Sequence, residues 1–183
     1  SPAFLSVGLG LGYVEMLLAA HAVQSPTPEN FTVHSFEAEP TLRENFLADL
    51  QGQAPAPFAA AYEQIYNRFA AAFDVPPAKI RECLRQWKDA GRWTLEGALS
   101  AGAVWTRRYD AILYDAYSSE TVAELWSPEF LNPFLESAAG RRCVFATYAA
   151  TGELKRTLVR HHFRLEDRPG FCGKRECTLA HRP

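Results

Sequence analysis

The sequence predicts a doubly wound α/β fold with a mainly parallel seven-stranded sheet and an antiparallel last strand. Short apolar runs alternate with helix-like segments along most of the 183 residues, which is the pattern of strand–helix–strand units. The last two apolar runs, residues 163–168 and 174–180, are separated only by a short turn that contains Pro169 and Gly170. Because so short a link cannot form a parallel crossover, these two strands must pair antiparallel or lie apart.

The first unit is predicted as strand, turn and helix. Residues 4–7 form a short apolar strand, three glycines follow, and residues 13–23 contain helix-favouring side chains. A second strand over residues 31–36 ends at the acidic Glu37. A helix is then predicted after Pro40, through Leu50.

A helical insertion is predicted at about residues 58–90. Aromatic and aliphatic side chains recur at helical spacing over residues 58–73 and 78–90, so we expect two core-packed helices after a loop at 51–57. Residues 93–95 form a weak third strand.

The second half contains the strongest strand signal. Residues 109–115 are apolar in their middle and end on an acid, as central strands of parallel sheets often do. A helix over 127–138 is predicted from Ser127 as N-cap and a proline at the first position, with Gly140 closing it. The remaining predicted elements are a strand over 142–148, a helix over 151–161 and strands over 163–168 and 174–181.

The composition predicts one soluble domain spanning residues 1–183, although a longer N-terminal lead-in is expected to be missing. No apolar run approaches the roughly 18–20 residues of a membrane span, and no basic-then-apolar leader is present, so a cytoplasmic location is expected. The cysteines lack CxxC or zinc-like spacing, which favours free thiols and no metal. They are Cys83, Cys143, Cys172 and Cys177.

The net charge of −2 is unevenly distributed. Residues 141–183 have a net charge of +6, and residues 1–140 have −8. A basic C-terminal part can attract a polyanion such as RNA, or it can simply be a solvated surface.

Candidate ligand-binding residues follow two of the predicted strands. Gly8, Gly10 and Gly12 would let the main chain turn tightly and approach a ligand. In such sheets ligands lie at the carboxyl ends of the strands, where Glu37 could accept hydrogen bonds from both ribose hydroxyls of an adenosine cofactor. Glu39 competes for this role, and NAD would use a similar acid, so these residues alone do not separate the two cofactors.

Asp115 ends the central predicted strand and is the candidate catalytic group. An amine attacks a methyl sulfonium only when it is neutral. A nearby carboxylate can hold and orient the amine and take its proton. The alternative is an aspartate that caps the next turn.

The chain resembles the MnmC-type tRNA methyltransferases, which have a Rossmann-like fold, without their fused flavin oxidase domain. The matching stretches are Gly8–Gly12, Ser35–Pro40, Asp110–Tyr117, Leu125–Phe130, Ala146–Ala150 and Gly170–Glu176. The resemblance implies S-adenosylmethionine as cofactor and methylation of the 5-aminomethyl group of (2-thio)uridine at the tRNA wobble position. The aminomethyl base would then come from other enzymes.

The resemblance also implies roles for individual residues. Asp115 corresponds to the acid beside the target amine, and Tyr117 and Tyr148 to aromatic residues that shape the base pocket. Lys174 and Arg175 could contact RNA phosphate or brace the last strand. Glu96 lies near the position of the family's adenine-facing acid, so that contact is either supplied by Glu96 or absent.

Three alternatives remain open from the sequence. The chain could be a binding module that keeps the cofactor fold without turnover, or a methyltransferase of another amine or a small molecule. The third, a NAD-linked oxidoreductase, is disfavoured by the antiparallel ending and by the lack of a substrate domain. No membrane partner is expected, and the oligomeric state is left open.

Overall fold

The structure, a computed structural model, describes residues 1–25, 30–116, 122–169 and 176–183. The strands are β1 (Ala3–Val7), β2 (Thr32–Phe36), β3 (Trp93–Glu96), β4 (Tyr109–Tyr114), β5 (Ala139–Thr147), β6 (Arg164–Pro169) and β7 (Glu176–Arg182). The helices are α1 (Tyr13–Gln24), α2 (Pro40–Leu50), α3 (Ala56–Phe73), α4 (Pro77–Asp89), α5 (Ala123–Trp126), α6 (Pro128–Ala138) and α7 (Gly152–Arg160).

The strands form a seven-stranded sheet in the order β3-β2-β1-β4-β5-β7-β6. Strand β4 pairs in parallel with β1 and β5, and β2 pairs in parallel with β3. Strand β7 is antiparallel to both of its neighbours, β5 and β6. The predicted fold class, including the antiparallel ending, is therefore confirmed.

The chain divides into two compact units, one of residues 9–98 with Ser1 and one of residues 2–8 and 99–183. The first unit contains β2, β3 and helices α1–α4. Its interior is apolar and aromatic, and its largest fully buried side chains are Met16, Phe46, Tyr62, Tyr66, Ile80 and Leu84. Helices α3 and α4 are the predicted insertion, and both pack on α1.

An ion pair between the buried Asp49 and the partly exposed Arg81 connects the insertion to α2. The Asp49 carboxylate is almost fully buried and accepts a hydrogen bond from Arg81 at 3.3 Å. The Arg81 guanidinium also lies 4.6 Å from the centre of the Tyr66 ring. A charge removed from water needs a partner of opposite charge, and Arg81 supplies it here.

The second unit contains β1, β4–β7 and helices α5–α7. Its core is built around β4 and β5, and its largest fully buried side chains are Leu5, Tyr109, Ile112, Tyr114, Leu131 and Phe145. Helix α6 begins as predicted, because the Ser127 hydroxyl accepts the main-chain N–H of Phe130.

The prediction that Gly140 closes helix α6 is wrong. The helix ends at Ala138, and Gly140 is the second residue of β5. A Cβ at this position would lie 2.8 Å from the carbonyl oxygen of Tyr109. Gly140 is therefore explained by a close approach of two strands rather than by a helix end. The four-residue helix α5 is an element that the sequence pattern did not predict.

Candidate functional site

In the first unit, the glycine-rich segment turns tightly into helix α1. The N–H of Gly12 donates to the carbonyl of Leu9 at 2.8 Å, and Gly12 is the residue before the helix. Gly12 has φ +74°, and a Cβ there would collide with the Phe46 ring. Position 12 thus requires glycine for both its conformation and its packing.

Glu37 follows β2, and its side chain contacts this glycine turn. It is only 2% exposed, and its Oε2 accepts the N–H of Gly10 at 2.8 Å. Its Oε1 accepts the N–H of Glu39 at 2.9 Å. An ionised carboxylate offers about four acceptor positions. Each oxygen of Glu37 therefore retains acceptor capacity for a further donor.

Glu39, the competing candidate, has a different contact. Its carboxylate accepts the N–H of Thr41 at 3.2 Å and so caps helix α2. Arg43, which sequence reasoning did not single out, donates to the carbonyls of Glu37 at 2.5 Å and Ala38 at 3.0 Å. Arg43 therefore fixes the main chain at Glu37 and Ala38, whereas the Glu39 side chain caps the N-terminus of α2.

Glu96 lies at the end of β3, beside β2. Its Oε1 is 2.8 Å from Nε2 of His34, and its side chain is 58% exposed. Its carbonyl accepts the N–H of Glu37 at 3.2 Å. The Glu96 carboxylate thus has a partner within the protein, and its predicted contact with adenine stays a prediction.

In the second unit, Gly8 and Asp115 are in direct contact at the ends of β1 and β4. The N–H of Asp115 donates to the Val7 carbonyl at 2.8 Å. Gly8 has φ +87°, and a Cβ there would collide with the main-chain carbonyl of Asp115. Glycine at position 8 allows β1 and β4 to end side by side, with Asp115 exposed to solvent.

Tyr148 lies close to Asp115 in the same unit. Its hydroxyl donates to the carbonyl of Ala116 at 2.7 Å. Burial raises the pKa of Tyr148, and the negative charge of Asp115 raises it further. The structure therefore brings together two of the residues that the sequence predicted for the substrate side.

An aromatic cluster lies next to Tyr148. The Trp126 ring lies 6.1 Å from the Tyr148 ring and 5.0 Å from the Tyr114 ring, each centre to centre. Trp126 is 8% exposed and precedes the predicted N-cap Ser127. Only its place in the resemblance motif Leu125–Phe130 could have indicated it.

Of the cysteines in the described chain, Cys143 is buried and Cys83 is partly buried. Burial raises the pKa of the Cys143 thiol to about 12 and that of the Cys83 thiol to about 11, so both are protonated at neutral pH.

Among the residues that the structure describes, no group of three or more His, Cys, Asp and Glu side chains could hold a metal ion. Within the same ranges, no helix has both the length and the apolar character to cross a membrane.

Three predicted substrate-side residues, Tyr117, Lys174 and Arg175, lie outside the described residues, as does Cys172. The roles predicted for them stay predictions.

Comparison with known proteins identifies a family. The family model of S-adenosyl-L-methionine-dependent methyltransferases matches residues 44–183. The tRNA 5-methylaminomethyl-2-thiouridine biosynthesis bifunctional protein MnmC of Burkholderia thailandensis is 30% identical over 184 residues, which cover 97% of the chain. The chain spans only 27% of the length of that relative.

Solved structures share the fold. MNMC2 from Aquifex aeolicus superposes with a TM-score of 0.62 at 20% identity, covering 98% of this chain and 52% of that one. The glycopeptide N-methyltransferase MtfA, solved with S-adenosylmethionine, superposes with a TM-score of 0.54 at 12% identity, covering 99% of this chain and 86% of that one.

Proposed function

The chain belongs to the S-adenosyl-L-methionine-dependent methyltransferases, and from this premise we propose that it methylates the amine of 5-aminomethyl-(2-thio)uridine at the tRNA wobble position. The observation that carries the proposal is the position of Asp115 at the end of β4, next to Ala116, whose carbonyl accepts a hydrogen bond from the Tyr148 hydroxyl. The relatives named MnmC, which match over 96–97% of the chain, support the same substrate.

We assign cofactor binding to the glycine turn and Glu37. The Glu37 carboxylate is held by two main-chain N–H groups, from Gly10 and Glu39. Its remaining acceptor positions suit the two ribose hydroxyls of the cofactor. Gly8 and Gly12 allow the close main-chain turns on either side of Gly10. The acceptor positions that remain on Glu37 fit the two hydroxyl donors of a neutral, vicinal diol.

When bound, S-adenosylmethionine supplies a methyl group activated by the adjacent positive sulfur. The Asp115 carboxylate would accept a hydrogen bond from the neutral substrate amine and so align its lone pair with the methyl group. Asp115 would then take the proton that the nitrogen must lose once it carries the methyl group. Asp115 is exposed, so it can return that proton to solvent.

We assign recognition of the base to the surroundings of Asp115. Tyr148 offers an aromatic face next to the carboxylate, and the bond from its hydroxyl to Ala116 fixes the ring. Single-stranded bases are commonly bound by stacking on aromatic side chains, and a wobble base in an anticodon loop is accessible to such contacts. The net charge of +6 over residues 141–183 supports an RNA partner.

The experiment is to incubate the chain with S-adenosylmethionine and tRNA that bears 5-aminomethyl-2-thiouridine. Nucleosides from the digested tRNA are then analysed by mass spectrometry. A gain of one methyl group on the wobble nucleoside is expected, with no gain on matched tRNA whose wobble uridine is unmodified. Methylation of both tRNAs, or of neither, would contradict the proposed substrate.

A second candidate is a module that binds the cofactor without turnover. The engagement of Glu96 with His34 favours it, because the acid expected to face adenine already has a protein partner. Binding of S-adenosylhomocysteine together with an absence of methyl transfer to any amine-bearing RNA would support this candidate.

A further inference from the structure

Three buried polar side chains of the first unit form a continuous hydrogen-bonded chain, which we name the buried relay: Trp93, Ser35 and Glu15. The indole N–H of Trp93 donates to Oγ of Ser35 at 3.0 Å. The Ser35 hydroxyl donates to Oε1 of Glu15 at 2.6 Å. Glu15 and Ser35 are fully buried, and Trp93 is 2% exposed.

The relay joins three separate elements, since Trp93 begins β3, Ser35 lies in β2 and Glu15 lies in the first turn of α1. Ser35 is two residues before Glu37, and Glu15 is three residues after Gly12. The relay therefore links the strand that presents the Glu37 carboxylate to the helix that follows the glycine turn.

An apolar contact closes this connection into a ring. Phe46 is fully buried and lies where a Cβ of residue 12 would be. The Phe46 ring also meets the Trp93 ring nearly perpendicularly, with centres 5.7 Å apart. Trp93 is thus linked indirectly to both parts of the proposed cofactor site. Ser35 connects it to the strand that carries Glu37, and Phe46 connects it to Gly12.

A carboxylate in a protein interior is costly unless hydrogen bonds compensate it. A simple packing role at position 15 could be filled by an apolar side chain without that cost. Glu15 also lies at the N-terminus of α1, where the helix dipole stabilises negative charge. Hydrogen bonds are directional, so the bonds of the relay fix the distance between β2 and α1 more narrowly than apolar contacts would.

We propose that the buried relay positions the glycine turn against Glu37, and that cofactor affinity depends on it. Its members are positioning residues, because they act through Glu37 and Gly10 and not by touching the ligand. The inference rests on the proposed cofactor role of Glu37.

The test compares Ser35→Val with Ser35→Thr, two variants of nearly equal size that differ in the hydroxyl. Calorimetry with S-adenosylhomocysteine should give a dissociation constant raised at least about tenfold for Ser35→Val, because valine removes both buried hydrogen bonds of Ser35. Ser35→Thr should bind within about threefold of the wild type. Thr157→Val, which removes a fully buried hydroxyl from α7 in the other unit, should leave binding unchanged.

Amide hydrogen exchange of the ligand-free chain supplies a second measurement that does not depend on the cofactor. The N–H groups of Gly10 and Glu39 donate to Glu37, so they should exchange at least about fivefold faster in Ser35→Val than in Thr157→Val. Failure of the wild type to bind S-adenosylhomocysteine would contradict the cofactor role of Glu37, while the exchange rates would still test the relay. Wild-type exchange at both amides in a folded Ser35→Val would overturn the proposal, as would wild-type binding by that variant.

Discussion

The two carboxylates most important to the proposed function have opposite surroundings. Glu37, in the first unit, is 2% exposed, and two main-chain N–H groups already bond to its oxygens. Asp115, in the second unit, is exposed to solvent, and its main-chain N–H donates to the Val7 carbonyl. A group that binds an unchanging cofactor can be fixed in advance, whereas a group that takes up a proton needs access to substrate and solvent.

This comparison predicts its largest effect at Asp115. Asp115→Ala should lower the rate of methyl transfer by about 10²–10⁴-fold, the usual contribution of a general base. The matched control is Asp110→Ala, which removes an exposed aspartate from the same strand that bonds instead to the N–H of Ala3. Single-turnover assays with aminomethyl-bearing tRNA measure the rate of methyl transfer by both variants. Wild-type turnover by Asp115→Ala would exclude it as the proton acceptor.

The second largest effect is expected at Glu37. Glu37→Gln removes the charge from an acceptor of several hydrogen bonds, and charge-assisted bonds are worth about 1.5–3 kcal/mol each. The dissociation constant of S-adenosylhomocysteine should therefore rise at least about tenfold by calorimetry. Glu39→Gln, two residues further on, should leave binding unchanged, since that side chain caps α2. Equal effects of the two substitutions would contradict the assignment of Glu37.

A smaller effect is expected at Tyr148. Tyr148→Phe keeps the aromatic ring but removes the 2.7 Å bond to Ala116, which corresponds to about 1 kcal/mol. We expect kcat/KM for tRNA to fall about fivefold. Binding of S-adenosylhomocysteine should not change, which serves as the internal control. A change confined to cofactor binding would show that Tyr148 contacts the cofactor and not the substrate.

The smallest effect is expected at Glu96. Its exposed pair with His34 is worth little in water, about 0–1 kcal/mol. Glu96→Gln should therefore change the affinity for S-adenosylhomocysteine by less than about threefold. A loss of tenfold or more would instead show that Glu96 contacts the cofactor, as the resemblance allows.

The sequence was most informative where chemistry demands one residue type. The glycine turn and the strand-end acid do meet in space, since the N–H of Gly10 donates to Glu37, and the positive φ of Gly10 and Gly12 favours glycine in that turn. The prediction for Gly140 was wrong because glycine is favoured both at helix ends and where two strands approach closely. A single residue in the sequence does not distinguish these two roles. The antiparallel pairing of the last two strands was one of two arrangements left open, because so short a link excludes a parallel crossover; their order in the sheet was not predicted.

The supporting residues were not predictable, since they are defined by contacts between distant segments. Ser35 bonds to Glu15 across 20 residues and to Trp93 across 58, and no local pattern marks such partners. Arg43 and Trp126 likewise have ordinary helix-like surroundings in sequence. Their importance comes from which main-chain carbonyl or ring they meet in the folded chain.

The most direct test of this division of roles is calorimetric titration of Asp115→Ala with S-adenosylhomocysteine. We predict a dissociation constant within about threefold of the wild type in a variant that no longer transfers methyl groups. Loss of binding in that variant would contradict the account, because Asp115 would then hold the cofactor rather than the substrate amine.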